Sequence, residues 1–220
     1  MREMDEQADG EAWMAGVPLR EEKLFLPDGP LCLLACPDLE LLLVDEAALE
    51  RPPYWAVVWP AGRALAEWLA AGPCLAGRRV LELGCGTGVA GLAAARRGAG
   101  VVQTDLFPEA CALAHWNARR NRVCGIHWVA ADWRAWPLSA RFDLVLGADI
   151  AYESAVVPAL ERVLAASVAP DGMVWIADTG RPPALALGAR LESAGWRVDL
   201  RELPRPTGPA VFLYEARPPA

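Results

Sequence analysis

Residues 80–88, V-L-E-L-G-C-G-T-G, form a short apolar run that leads directly into a glycine-rich turn. Because Gly84, Gly86 and Gly88 carry no Cβ, the backbone there can take positive φ and lie directly against a ligand. The Ala- and Leu-rich run 89–97 predicts a helix that starts at the turn. Strand, turn and helix therefore form one βα unit. Its free N–H groups and positive helix end favour a nucleotide-type ligand at the carboxyl edge of the strand.

The spacing of the glycines bears on which nucleotide is bound. Residues 86–91 also match the G-x-G-x-x-G pattern of dinucleotide sites. In that pattern the first glycine closes the strand, whereas here the strand ends at Gly84 and contains Glu82. This register resembles the first motif of class I S-adenosylmethionine methyltransferases. Asp105 ends the next predicted strand, where it would accept hydrogen bonds from two ribose hydroxyls in either kind of site.

Composition limits the classes of protein and partner. The chain has 220 residues, of which 54% are hydrophobic and 22% charged, which predicts one globular domain with a substantial core. Its net charge is −7 and Lys23 is its only lysine, so we expect no nucleic-acid partner. The twenty arginines could still form a local basic face. No uncharged apolar run reaches the roughly 18 residues of a membrane span. Residues 1–11 are acidic and do not resemble a targeting signal. We therefore expect a cytoplasmic protein with no membrane partner.

Cysteine and histidine content bears on bridges and metals. None of the six cysteines forms a C-x-x-C pair, which favours reduced thiols. Since His115 and His127 are the only histidines, we expect no metal site. Cys85 lies in the glycine turn, and a small residue that fits a tight turn is a better interpretation of it than a nucleophile.

The first 53 residues predict an N-terminal extension with a small antiparallel sheet. Apolar runs 23–26 and 31–35 flank the turn signal P-D-G-P at 27–30, and a third run at 39–44 predicts a third strand. Residues 1–16 are expected to be loosely structured or a first helix, and 45–51 to form one helical turn before a Pro-Pro pair.

Residues 54–220 alternate helical and strand patterns, which predicts an α/β fold with a doubly wound, mostly parallel, seven-stranded Rossmann-like sheet. The loop between the last two strands is too short for a helix crossover, so these strands form an antiparallel hairpin at the edge. On the second crossover helix, Asn117 and Asn121 are expected to be capping or surface residues. The predicted strands are 80–84, 101–105, 126–131, 141–149, 172–178, 196–203 and 210–216. The first predicted helix starts after Trp59. Four more helices are predicted at 89–97, 108–121, 154–166 and 183–194.

Two more strand ends carry acids. Asp132 and Trp133 follow the third strand, where the acid can accept from an adenine amino group and the ring can pack on its face, although Trp133 fits the core equally well. Asp149 ends a strand that its apolar neighbours predict to be buried on both faces, which favours a functional position. Trp55 and Trp59 precede the first predicted helix, and each either packs the N-terminal sheet onto the core or lies in the site.

Four segments carry a family resemblance. They are Y-W-A and W-P-A-G within 54–62, the loop at 82–88, Asp149-x-x-Tyr152 followed by Glu153, and D-T-G-R-P at 178–182. Together they resemble the seven-β-strand protein methyltransferases of methyltransferase family 16, most of all the electron transfer flavoprotein β-subunit lysine methyltransferases. Thr179 departs from the D-P-G-R-P form of the last segment. Arg181 would pair either with an acidic partner surface or within the fold.

The resemblance implies a methyltransferase domain at 54–220 that uses S-adenosyl-L-methionine to methylate a lysine of a protein such as the electron transfer flavoprotein β subunit. It also implies that Asp149 and Tyr152 face the acceptor amine. Separately, we expect a monomer. Asp149 would orient the ammonium, Tyr152 would cover its cationic face, and the methyl group would move by direct displacement. The candidate cofactor-binding residues are Trp59, Glu82, Gly84, Cys85, Gly86, Thr87, Gly88, Asp105, Leu106, Asp132, Trp133 and Ala148.

Three other functions stay open on the sequence. A small-molecule N- or O-methyltransferase shares the fold, because the fold does not fix the acceptor. A dinucleotide-dependent reductase shares the glycine pattern. A non-catalytic binding partner would fold in the same way without turnover.

Overall fold

The computed structural model describes residues 16–42, 52–205 and 207–219. The expectations for residues 1–15 and for a helical turn at 45–51 fall outside this described part. The chain begins with a hairpin of two antiparallel strands, β1 (Arg20–Leu26) and β2 (Gly29–Ala35), which confirms the predicted turn at 27–30.

Seven further strands form the central sheet. They are β3 (Arg79–Leu83), β4 (Gly100–Asp105), β5 (Ile126–Ala130), β6 (Phe142–Ala148), β7 (Val168–Asp178), β8 (Arg197–Leu203) and β9 (Val211–Arg217). Their order is β5-β4-β3-β6-β7-β9-β8, with β9 antiparallel to both of its neighbours and the other pairs parallel. The predicted doubly wound sheet and its antiparallel edge pair are confirmed.

Within the described residues, five helices cover the two faces of this sheet. They are α1 (Pro60–Ala71), α2 (Val89–Arg96), α3 (Pro108–Arg120), α4 (Val157–Ser167) and α5 (Pro182–Ser193). Helices α1 and α2 pack with the hairpin on one face, where the core includes Leu24, Leu65 and Leu92. Helices α4 and α5 cover the other face through Leu160 and Leu187. No helix in the described ranges combines the length and hydropathy that crossing a membrane requires.

The predicted third strand of the N-terminal sheet is wrong. Leu39–Leu42 forms a 3-10 helix instead. Asp38 explains the difference, because its side chain accepts from Glu40 N at 3.0 Å and its carbonyl accepts from Leu41 N at 3.2 Å. These local bonds take up backbone groups that a ladder would need. Leu42 then turns into a small core with Cys36, Ala56 and Leu113.

Asn121 and Asn117 differ from each other in the structure. Asn121 is the C-cap of α3, as expected. Asn117 has no exposed surface, so the expectation of a capping or surface residue is wrong for it. Its amide group is taken up by backbone groups of β2 and of the loop after β3. A pattern within α3 does not reveal these partners, because they are distant in sequence.

The strand order reverses between β3 and β6, the innermost pair of the sheet. Loops that leave neighbouring strands at such a point turn to opposite faces, which opens a crevice at the carboxyl ends. The pairs Leu83 with Gly147 and Leu83 with Thr104 bring the ends of β3, β6 and β4 level with one another. Asp105 and Asp149, which end β4 and follow β6, therefore reach the same crevice.

Candidate functional site

A cleft of about 590 Å³ opens where β3, β4 and β6 end. Both predicted catalytic residues line it, and so does every predicted cofactor-binding residue except Gly88. Gly88 is instead the N-cap of α2 with a φ of +81°, and a Cβ there would lie 2.8 Å from the Cβ of Ala114. Gly88 therefore lies at the start of α2, against α3.

The glycine loop runs between two close neighbours. Gly84 has a φ of +62°, and a Cβ on it would lie 2.7 Å from Cγ2 of Ile150. Gly86 has a φ of +49°, and a Cβ on it would lie 3.0 Å from the carbonyl oxygen of Trp55. Any L-residue would be strained at both positions and would also close the space beside them. The loop is thus a backbone cradle that only glycine allows.

Asp105 is the carboxylate beside this cradle. It is 7% exposed, and its two oxygens accept from Gly86 N at 3.0 Å and from Phe107 N at 3.1 Å. Each carboxylate oxygen has a second lone pair, so the group can still accept two hydroxyl donors. Burial raises the pKa of Asp105, which the hydrogen bonds from the backbone N–H groups of Gly86 and Phe107 oppose.

Glu82 lies under the loop, 4% exposed. Its Oε2 accepts from Gly91 N at 3.0 Å and from Gln103 Nε2 at 2.6 Å. Gln103 in turn donates to the carbonyl of Gly88 and accepts from the indole of Trp128. Burial raises the pKa of Glu82 from 4.5 to about 7. The carboxyl group therefore ties the first turn of α2 to β3 and β4.

Asp132 and Trp133 form the cleft wall after β5. The carboxylate of Asp132 accepts from Arg134 N at 2.8 Å and pairs with the guanidinium of Arg134, which holds its pKa below the usual value. Trp133 packs beside Gly84, and its indole N–H is buried with no partner in the described structure. A buried donor without an acceptor is uncommon in native proteins and calls for an explanation.

Asp149 is hydrogen-bonded to three neighbouring parts of the fold. It is a non-glycine residue with a φ of +55°, and its backbone N–H donates to Ala177 O at 2.9 Å. Oδ2 accepts from Ala61 N in the first turn of α1 at 3.0 Å, and Oδ1 accepts from Arg181 at 2.6 Å. Arg181 also pairs with Asp178, which has no exposed surface. The cage of Asp149, Asp178 and Arg181 contains two carboxylates and one guanidinium, which leaves a net charge of −1.

The electrostatic balance at Asp149 has two opposing contributions. Burial raises the pKa of Asp149, and the positive charge of Arg181 lowers it, with the net result above the ordinary value. Asp149 is thus a stronger base than an exposed aspartate while it remains tied to a cation. The structure places Arg181 inside the fold, which decides between the two partners that the sequence left open.

Aromatic side chains form the rim of the cleft. Tyr152 is 49% exposed and Tyr54 is 40% exposed. Trp59 donates its indole N–H to Tyr54 O at 2.9 Å, and their rings meet edge to face with centroids 6.0 Å apart. Burial and the charge of Glu153 raise the pKa of Tyr152, so its phenol stays neutral at pH 7.

Sequence reasoning missed several lining residues, namely Tyr54, Phe107, Ile150, Glu153 and Arg181. Tyr54, Ile150 and Glu153 lie within the segments that carry the family resemblance, so membership of a motif was a usable signal. Arg181 also lies in such a segment, but the sequence left its partner open between two alternatives. Trp55 fits both of its predicted places, because it packs against the core around Leu113 and also lines the cleft.

Metal and thiol chemistry find little support among the described residues. No group of three or more His, Cys, Asp or Glu with metal-ligand geometry occurs in them. All six cysteines are free. Cys85 is buried in the glycine loop beside Cys111, and a hydrogen bond that its thiol donates to that neighbour, together with burial, raises the pKa of the Cys85 thiol. A thiol in that state is a poor nucleophile.

Comparisons with known proteins identify the family of this chain. A family model described as lysine methyltransferase matches residues 48–184. The electron transfer flavoprotein beta subunit lysine methyltransferase of Danio rerio is 35% identical over 137 residues, which is 59% of this chain and 51% of that protein. EEF1A lysine methyltransferase 3 of Mus musculus is 35% identical over 134 residues, 57% of this chain and 56% of that protein. The chain spans about half the length of the curated relatives it matches.

Among solved structures, the ribosomal protein L11 methylase from Lactobacillus delbrueckii subsp. bulgaricus is similar with a TM-score of 0.57. It is 21% identical, and the match covers 72% of this chain and 78% of that one. At this identity the likeness concerns the fold alone. It agrees with the α/β fold described above.

The raised pKa of Glu82 predicts how stability depends on pH. The folded state holds its proton up to pH about 7 and the unfolded state releases it near 4.5. The free energy of unfolding should therefore fall by roughly 3 kcal/mol from this group as pH rises from 4.5 to 7. Glu82→Gln should remove that contribution in urea unfolding at pH 4.5, 6 and 7.5. Glu192→Gln, the same change at an exposed position, should keep the wild-type dependence, and equal slopes for both variants would contradict the assignment.

Proposed function

The chain belongs to the lysine methyltransferase family, and from this premise we propose that it is an S-adenosylmethionine-dependent protein-lysine N-methyltransferase. The observation that carries the proposal is one cleft that joins a glycine-only backbone cradle to the caged carboxylate of Asp149 under an aromatic rim. The first part suits the donor and the second suits a cationic amine.

The residues present fit S-adenosylmethionine. The cradle at Gly84 and Gly86 leaves room that any Cβ would fill, Asp105 retains two acceptor positions for ribose hydroxyls, and the unpartnered indole N–H of Trp133 lies in the wall. Trp59, Asp132, Leu106 and Ala148 would complete the contacts. When bound, S-adenosylmethionine supplies an electrophilic methyl group that an amine takes by direct displacement, with no covalent enzyme intermediate.

Asp149 would bind and orient the acceptor ammonium. Its oxygens keep lone pairs beyond those used by Ala61 and Arg181, and the net charge of −1 in the cage attracts a cation. Tyr152 would cover the cationic face of the same group, which is worth roughly 0.5 to 2 kcal/mol. Because burial raises the pKa of Asp149, it can also accept the proton that the amine must lose, in competition with water.

A protein substrate is favoured over a small molecule. Two of the relatives are named for different proteins, the electron transfer flavoprotein β subunit and EEF1A, and both of these names specify lysine. The half-exposed tyrosines at the rim would let a lysine side chain enter while the rest of a protein stays outside. We propose the electron transfer flavoprotein β subunit as the first substrate to test. A cytoplasmic location, which the six free thiols support, and a monomeric state are part of the same proposal.

The proposal is tested by incubating the full chain with methyl-labelled S-adenosylmethionine and cell lysate. Label should appear in a protein band, and mass spectrometry should locate it on a lysine side chain. Label confined to the low-mass fraction would instead support the small-molecule N- or O-methyltransferase. Stabilisation by NAD without stabilisation by S-adenosylmethionine would support the reductase and overturn the proposal.

Asp149→Asn should separate binding from transfer. Asparagine tolerates positive φ and can still accept from Ala61 N, but it loses the charge, so kcat should fall roughly 100-fold or more. Cofactor affinity measured by calorimetry should stay within about threefold. Asp143→Asn is a matched control on β6, because Asp143 also accepts a backbone N–H and pairs with an arginine, both from Arg79. Loss of cofactor binding in a folded Asp149→Asn protein would contradict this assignment.

Arg181→Gln should change the pH dependence of transfer. The positive charge of Arg181 lowers the pKa of Asp149, so its removal should raise that pKa further and move the acid limb of the kcat profile to higher pH. Activity should therefore fall more at pH 6 than at pH 8. Arg190→Gln, which breaks a surface pair with Glu161, should leave the profile unchanged. An acid limb that does not move would show that Asp149 is not the titrating group.

A further inference from the structure

The outer edge of β2 is covered by two asparagines of α3. Oδ1 of Asn117 accepts from Leu34 N at 2.7 Å, and its Nδ2 donates to Leu34 O at 3.1 Å. Asn121 repeats the pattern with Cys32, accepting from its N–H and donating to its carbonyl, both at 2.8 Å. Two side-chain amides thus replace the neighbouring strand that this edge lacks.

The geometry of helix and strand explains why asparagine occurs at positions i and i+4 of α3. Four residues along a helix rise by about 6 Å. Two residues along a strand rise by about 6.7 Å. A helix laid along a strand edge can therefore present one amide to each outward-facing backbone pair, provided that the amides lie one turn apart.

Asn117 differs from Asn121 in one further bond. Its second amide hydrogen goes to the carbonyl of Thr87 at 2.9 Å, in the middle of the glycine loop. Asn121 uses its remaining hydrogen within α3, on the carbonyl of Asn117. Asn117 has no exposed surface, and its partners are two carbonyls on the nitrogen and one N–H on the oxygen, which fixes the orientation of the amide.

The residue after the hairpin is bonded to a segment that lines the cleft. Cys36, which directly follows β2, donates its N–H to Ala56 O at 2.7 Å and forms an isolated bridge with Val57. Trp55 directly precedes Ala56 and Val57, and its carbonyl oxygen is the close neighbour of Gly86. The hairpin side of the chain is therefore bonded both to α3, whose Asn117 reaches Thr87, and to the segment of Trp55 beside Gly86.

We propose that Asn117 is a positioning residue for the cofactor loop, held in place by the β1–β2 hairpin. The hairpin fixes the amide at Leu34, and the amide fixes the loop at Thr87. This extends the proposed function by making part of the N-terminal extension a structural component of the cofactor site. The link to cofactor affinity rests on that function, whereas the link to loop order does not.

The test compares Asn117→Ala with the matched control Asn121→Ala in the full chain without ligand. Hydrogen exchange measured by mass spectrometry should be about tenfold faster at the amides of Gly86, Thr87 and Gly88 in Asn117→Ala, the factor expected for loss of one net hydrogen bond. In Asn121→Ala these amides should stay within about threefold of wild type, although it also loses two bonds to the hairpin.

A second readout concerns the cofactor. Asn117→Ala should raise the Kd for S-adenosylmethionine and the KM for it by about tenfold, with kcat at saturation kept within about threefold. Asn121→Ala should change neither. If wild type itself binds no S-adenosylmethionine, the proposed function fails while the exchange result still decides the role of Asn117.

Leu34→Pro and Cys32→Pro provide a second pair if Asn117→Ala does not fold. Each deletes one outward N–H of an edge strand, where proline is tolerated, and leaves both asparagines intact. Leu34→Pro should speed exchange in the glycine loop and Cys32→Pro should not. Equal exchange rates in the loop for the two members of either folded pair would overturn the proposal.

Discussion

The close passage of the glycine loop between Ile150 and Trp55 is the constraint on which the rest of the structure depends. The loop leaves β3 at the point where strand order reverses, and Gly84 and Gly86 take positive φ with no room for a Cβ. This brings backbone N–H groups, the end of β4 and the end of β6 to one cleft. The cleft that carries the proposed function is thus a result of backbone geometry first and of side-chain chemistry second.

Three buried carboxylates surround the loop, and their partners distinguish them. Glu82 bonds to the first turn of α2 and to Gln103, so it holds the scaffold. Asp105 bonds to loop N–H groups and keeps acceptor capacity toward the cleft. Asp149 bonds to the first turn of α1 and to Arg181, and this places a paired carboxylate beside the aromatic rim. Burial raises the pKa of all three, but only Asp149 has a cation in direct contact.

The N-terminal hairpin joins this arrangement through backbone groups. Arg63 and Arg120 pair with Glu22 and Glu21 on its first strand, while asparagines of α3 cover the edge of its second. Surface ion pairs of this kind contribute little to stability. The buried amide of Asn117 is different, because an unmade hydrogen bond at that depth is costly. The hairpin is accordingly more than an appendage of the sheet.

The sequence by itself determined the sheet, the glycine loop and the acids at the strand ends, because hydrophobic period, glycine spacing and strand-end position are local properties of the chain. It failed at residues 39–42, where the side chain and carbonyl of Asp38 outweighed an apolar run, and at Asn117. Only the tertiary structure decided that Arg181 cages Asp149, that Glu82 supports α2 and that Asn117 joins β2 to the loop. Each of these is a contact between residues at least nine positions apart, and no periodicity in a sequence specifies the partner of a buried polar group.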